Sequence, residues 1–125
     1  MSDDAAVGEV QIVRLRRRGE FLAAARGSRL SRGPFTLQAL TRPEPGRAST
    51  IGVGITVTRK IGGAVVRNRA RRRLREALRI TLPGPAKPGT DYVVVARPAA
   101  LNCPFAQLQA ELAGAFAQAA RRSGR

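Results

Sequence analysis

Arg59-Lys60-Ile61-Gly62-Gly63-Ala64-Val65-Val66-Arg67-Asn68-Arg69-Ala70-Arg71-Arg72-Arg73-Leu74-Arg75 is the stretch on which the reading of this chain turns. Between residues 59 and 79 stand nine cationic residues and one acid, Glu76, so the segment supplies +8 of the formal +15. A block this dense in one charge repels itself and gains from folding only against a polyanion. Apolar residues interrupt it at helical spacing, which sets it apart from a solvated tail. At about 100° per residue, Val66, Ala70, Leu74, Ala77 and Leu78 share one arc, and Asn68, Arg71, Arg72, Arg75 and Arg79 lie opposite. Arg67 and Arg73 flank the apolar stripe, where long stems can lie on a core and lift the guanidinium clear. The pattern predicts a helix with one packed face and one face of forked donors suited to phosphate. A merely solvated face would mix Glu with Lys at i,i+4, whereas this one stacks Arg on Arg.

Composition bounds the rest. At 125 residues and 43% hydrophobic, the chain holds one domain with a modest core. Lys and Arg number 23 against 8 Asp and Glu, with a pI near 12.0. That balance suits nucleic acid, an anionic membrane or an acidic protein as partner. No run of about 18 apolar residues offers a membrane span, and the opening Met1-Ser2-Asp3-Asp4 leads into no signal-like apolar segment. A soluble, cytoplasmic protein is expected. Cys103 is the lone cysteine and there is no His, so an internal disulfide and a zinc site are both excluded. Without His the common general base near neutral pH is missing, and the acids are scattered, which disfavours a protein nuclease. Gly62-Gly63 lacks the Lys-Ser/Thr that a phosphate-binding P-loop needs.

Along the chain, residues 1–13 read as a flexible lead-in, residues 14–120 as a single RNA-binding domain, and residues 121–125 as a basic tail. A short helix around Phe21 is expected to bury Phe21, Leu22 and Ala25 and to close at Gly27. Residues 28–34 read as a basic loop. Phe35-Thr36-Leu37-Gln38-Ala39-Leu40 alternates like a strand, and residues 50–58 form a second, with Ile51, Val53, Ile55 and Val57 on one face. Gly52 and Gly54 on its other face would admit a ligand or another backbone. The Arg helix spans about residues 64–80 and ends at Pro83-Gly84-Pro85. Asp91-Tyr92-Val93-Val94-Val95-Ala96 reads as a central strand. From Phe105, Leu108, Leu112, Ala115, Phe116 and Ala119 keep helical spacing. The order α-β-β-α-β-α implies an α+β fold, a small mixed sheet packed with helices. Its β-α-β step would be right-handed by the general rule if the strands are parallel.

The segment from Gly54-Ile55-Thr56-Val57-Thr58-Arg59-Lys60 through Arg67-Asn68-Arg69 to Leu74-Arg75-Glu76 resembles the signature of the bacterial ribonuclease P protein subunit. Phe21, Gly33-Pro34-Phe35, and the run from Asp91 to Arg97-Pro98 also look like family positions, so the resemblance spans about residues 13 to 119. It implies a subunit that binds a large catalytic RNA and assists metal-dependent removal of the 5′ leader from precursor tRNA. The RNA would carry the catalytic site and its Mg2+, with no metal on the protein and no protein partner evident. The resemblance also implies an unusual left-handed β-α-β crossover, against the general rule. Carried over residue by residue, it assigns RNA binding to Arg59, Lys60, Arg67, Asn68, Arg69, Arg71, Arg72 and Arg75. Asn68 could fix a phosphate-bound geometry or cap a neighbouring backbone group. Phe21 and Phe35 match aromatics of the cleft that accepts the single-stranded leader, where stacking holds bases with little sequence choice. Ala24, Leu30 and Gln38 stand where aromatics are common in the family, and Gly63 replaces a frequent Asn. The cleft thus offers fewer stacking surfaces. Charge alone equally suits a ribosomal or other structured-RNA-binding protein; the Arg-Asn-Arg spacing after Arg59-Lys60 separates the two.

Overall fold

The computed structural model describes residues 10–123, and residues 1–9 of the expected lead-in and 124–125 of the expected tail lie outside them. The chain runs β1 (Gln11–Arg14), α1 (Arg18–Ala25), β2 (Ser28–Arg32), β3 (Phe35–Thr41), β4 (Thr50–Thr56), α2 (Ala64–Thr81), β5 (Thr90–Ala96) and α3 (Phe105–Ser123). Short 3₁₀ turns at Arg59–Ile61 and Pro98–Leu101 precede α2 and α3. The strands form one mixed sheet in the order β1-β4-β5-β3-β2. β1, β4 and β5 are mutually parallel, and β5, β3 and β2 antiparallel. This is the α+β architecture expected from the sequence, enlarged by two edge strands.

Those two strands correct the sequence reading. Gln11, Ile12 and Val13 were expected in the lead-in, yet with Arg14 they pair with β4 from Gln11↔Thr50 to Arg14↔Val53. All four residues of β1 are exposed, so no buried face writes an alternation into the sequence. Residues 28–32, expected in a loop, instead form a hairpin with β3. Only Leu30 of that strand is buried, and the ladder offered by β3 outweighs the weak strand preference of Ser-Arg-Leu-Ser-Arg. At the other end, Arg121 and Arg122, assigned to the tail, belong to the last turn of α3, and Arg122 Nη1 donates to the Arg29 carbonyl at 3.1 Å.

Period-two alternation along the strands splits the interior in two. Phe35, Leu37, Ile51, Tyr92 and Val94 face the main core with Ala70, Leu74, Ala77 and Leu78 of α2 and Leu108, Leu112, Ala115 and Phe116 of α3. Tyr92 and Phe116 meet edge to face, with ring centroids 4.7 Å apart and planes at 80°. The opposite sheet face carries a smaller cluster of Leu15, Ala24 and Val93, with Phe21 and Val95 packed against it. In α1, Ala24 is the fully buried residue and Phe21 is half-buried. Leu22 and Ala25, expected inside, are exposed. Eight residues make little more than two turns, too few for periodicity to fix which side meets the sheet.

Gly52 and Gly54 are approached not by a ligand but by the protein's own side chains. A Cβ at Gly54 would stand 2.5 Å from Phe21 Cε1, and one at Gly52 would strike the Asp91 carboxylate. Glycine here lets Phe21 pack closely against β4 and lets Asp91 sit inside. Asp91, fully buried, pairs with Arg47 and lies 3.5 Å from Arg42 Nη1, anchoring the β3–β4 link to β5. Burial pushes its carboxyl above the usual aspartate range, against the opposing pull of Arg47 and then Arg42.

Candidate nucleic-acid interface

The main core holds α2 by one stripe, Ala70, Leu74, Ala77 and Leu78, and leaves the rest of its circumference outside. Val66, expected on that stripe, is exposed at its end, and Val65 is 82% exposed. Arg73 turns inward: Nη1 donates to the Ala100 carbonyl at 2.8 Å and Nη2 to the Cys103 carbonyl at 2.5 Å, tying α2 to the turn before α3. Its placement beside the stripe predicted a guanidinium lifted clear of the core; the two carbonyls of the turn before α3 draw it inward instead. Arg67 is half-buried, with Nε out of solvent and no protein acceptor.

The remaining cations of the signature stand outward. Asn68, Arg69, Arg72 and Arg75 are exposed on α2, and Arg59 and Lys60 are exposed on the 3₁₀ turn leading into it. Asn68 Oδ1 accepts from Arg71 Nη1 at 3.1 Å, steadying that guanidinium beside the helix. None of Arg59, Lys60, Arg69, Arg72 and Arg75 has a carboxylate partner among the described residues. Every described acid is engaged elsewhere. Glu44 pairs with Arg42, Glu76 with Arg79, Glu111 with Arg32, and Asp91 with Arg47. Glu20 accepts the backbone N–H groups of Arg16 and Arg17 at 2.9 and 3.0 Å, and these hold its carboxyl below the usual range.

Beside α2 opens a cleft of about 440 Å³, bounded by the β1–β4 edge of the sheet, the start of α1 and one flank of the helix. Phe21, Val53, Gly54, Ile55 and Leu78 give it apolar walls, and Arg71, Arg75 and Arg79 line the helix side one turn apart. The structure thus brings Phe21 together with Arg71 and Arg75. It does not bring Phe35, which is 0% exposed on the opposite sheet face and packs in the main core; strand alternation puts it there. A side chain sealed under α2 and α3 cannot stack on a base, and Phe35 is withdrawn from the cleft. Sequence reasoning missed Ile12 and Arg14, because β1 itself was unrecognised, and Arg79, although Arg71, Arg75 and Arg79 share an i,i+4 row. No three His, Cys, Asp or Glu side chains cluster to hold a metal among the described residues.

An arginine-faced helix lying over a half-apolar cleft, with its carboxylates spent elsewhere, defines a polyanion-binding α+β protein. The ribonuclease P family model matches residues 11–120. The ribonuclease P protein component of Brucella melitensis is 50% identical over 121 residues, covering 91% of this chain and 85% of that protein. That of Caulobacter vibrioides is 54% identical over 84 residues, covering 67% and 55%. The ribonuclease P protein from Thermotoga maritima has a similar structure, with a TM-score of 0.69 at 27% identity over 84% of this chain and 96% of that one. The Staphylococcus aureus protein shares the fold, with a TM-score of 0.67 at 24% identity over 86% and 94%. The chain belongs to the ribonuclease P family, as a protein component.

Proposed function

We propose that this chain binds the catalytic RNA of ribonuclease P through α2 and holds the 5′ leader of precursor tRNA along the cleft at Phe21. One observation carries the reading: Arg71 and Arg75 of α2, neither with a carboxylate partner among the described residues, border an apolar cleft containing a half-buried aromatic ring. Arg59, Lys60, Arg67, Asn68, Arg69, Arg72 and Arg75 serve as contacts to phosphate and ribose, where forked donors give both charge and geometry. Phe21 offers a face on which an unpaired base can stack, and Arg71 and Arg75 hold the adjoining phosphates. Positioning the leader in this way raises the local concentration of substrate at the RNA without any bond being made or broken by the protein.

The hydrolytic step is assigned to the RNA. The described carboxylates are each turned toward Arg or backbone N–H, so they do not fit a magnesium ion, whose oxygen ligands are left to the RNA phosphates. No helix among the described residues is long and apolar enough to cross a membrane, and precursor tRNA as substrate favours action in the cytoplasm.

The test is cleavage of precursor tRNA by the source organism's catalytic RNA at low magnesium, with and without the protein. Protein-dependent cleavage at the mature 5′ end is the expected result. Binding of the RNA with cleavage unchanged would overturn the processing role and leave a general structured-RNA-binding protein. Robust cleavage by the protein alone would overturn the assignment of the chemistry to RNA.

A further inference from the structure

A second cluster of arginines lies at the opposite edge of the sheet from the cleft. β2 is an edge strand, paired only with β3. Leu30 points into the main core, so alternation turns Arg29 to the α1 side of the sheet. Arg26, which closes α1, stands three residues earlier, at most about 11 Å away. On the other side of the same edge, the last turn of α3 carries Arg121 and Arg122. Arg122 Nη1 reaches the Arg29 carbonyl at 3.1 Å, which joins the two sides across the strand. All four arginines are exposed.

Taken singly, each has an ordinary structural use. Arg29 guards an edge strand against pairing with another chain, and Arg121 and Arg122 face the negative end of the α3 dipole. The cluster exceeds those uses. None of the four has a carboxylate partner among the described residues. Glu111 of α3 is held by Arg32, ten residues before Arg121 and about 15 Å from it along the helix. The C-terminal ends of α1 and α3 supply about −0.5 each, so roughly +3 stays uncompensated on one rim.

Distance and chemistry then define the partner. β1 and β2 are four strand spacings apart, about 19 Å. That exceeds two Debye lengths of roughly 8 Å at physiological salt, so the rim answers to its own anion rather than to one bound at the cleft. No aromatic ring serves the rim. Tyr92, Phe35 and Phe116 are buried, Phe21 lies in the cleft, and Phe105 begins α3 at its far end. Unpaired bases find nothing there to stack on, while the phosphates of a helical backbone find forked donors.

We propose that the rim of Arg26, Arg29, Arg121 and Arg122 grips the phosphate backbone of a helical segment of the catalytic RNA, separate from the segment at α2. The idea rests on the reading of α2 as the surface that meets that RNA. Contact at α2 holds the second segment at high local concentration, so a few phosphate contacts at the rim suffice. The rim reads no sequence; held at both edges of its sheet, the protein is fixed in orientation on the RNA.

The experiment measures filter binding of the full chain to the catalytic RNA across a salt series, for Arg26→Gln/Arg29→Gln/Arg121→Gln and for Arg72→Gln. Arg122 is kept because it ties α3 to β2. The triple variant should lower the slope of log K against log salt by about two to three, and Arg72→Gln by about one. Arg26→Lys/Arg29→Lys/Arg121→Lys should keep the slope, since charge is retained. An unchanged slope in the Gln triple, with Arg72→Gln effective, would overturn the proposal and leave the role of α2 standing. A slope lowered as much by the Lys triple would overturn it too, by tracing the effect to the fold. If neither Arg72→Gln nor the Gln triple moves the slope, both readings fall. A hydroxyl-radical source tethered at Ser28→Cys, in a Cys103→Ser background, identifies the RNA. It should cut a paired region of the catalytic RNA different from the region cut from Val65→Cys at the start of α2. Cuts confined to precursor tRNA, or to the region reached from α2, would overturn the proposal.

Discussion

Two arginines one residue apart show how far side-chain identity leaves function open. Arg72 is exposed with no carboxylate partner among the described residues, while Arg73 is spent on two carbonyls of the turn before α3. Arg72→Ala should weaken binding to the catalytic RNA and reduce the slope of log K against log salt by roughly one. Filter binding across a salt series checks this, and an unchanged slope would remove Arg72 from the interface. Arg73→Ala should do the reverse: a loss of about 1–3 kcal/mol in stability from two orphaned carbonyls, seen in denaturant melts, with the salt slope intact. The aromatic pair divides in the same way. Phe35→Ala should cost about 3–5 kcal/mol, as a fully buried ring does. Phe21→Ala should cost less than that and, in contrast, lower affinity for leader-bearing tRNA relative to mature tRNA.

At the scale of elements, the position of α1 over the sheet depends on a glycine and a cap. Gly54→Ala places a Cβ 2.5 Å from Phe21 Cε1 and should displace the ring, costing about 1–3 kcal/mol and disturbing the cleft. Gly63→Ala, with nothing within 4 Å, should change stability by less than about 1 kcal/mol. Thermal melts of the two variants separate the cases. Glu20 closes the start of α1 through the N–H groups of Arg17 and Arg16, and its folded pKa lies below the ordinary value. Its stabilising contribution is therefore complete above the unfolded pKa of about 4.3 and fades as pH falls through the lower folded value. The stability gap between the protein and Glu20→Gln should be widest near neutral pH and narrow below about pH 4. A gap that stays constant down to low pH would show that the carboxylate does not cap the helix.

At the scale of the whole molecule, the division of labour is spatial. One circumference of α2 serves the core, one flank the cleft, and the rest the exterior, so folding and RNA binding draw on different residues of the same eighteen-residue helix. What was legible in the sequence followed from long, strong patterns. The apolar stripe of α2, the alternation of β3 and β4 and the apolar run of β5 all report burial over many residues, and each was placed within a residue or two. Short elements were illegible for a matching reason. β1 buries none of its residues and β2 buries Leu30 alone, so hydrogen bonding to a neighbour decides them rather than their own side chains.

The amino-acid sequence by itself determined the polyanion-binding helix, the α+β class and the absence of His, because charge density and hydrophobic period are local properties of the chain. Tertiary structure alone decided which cations remain free and which aromatic reaches the cleft. Arg73 finds two carbonyls about thirty residues away in sequence, and Phe35 lands on the covered face of the sheet while Phe21 crosses Gly54 on the other. Those outcomes depend on which surfaces the packed sheet leaves uncovered, and no local pattern encodes that.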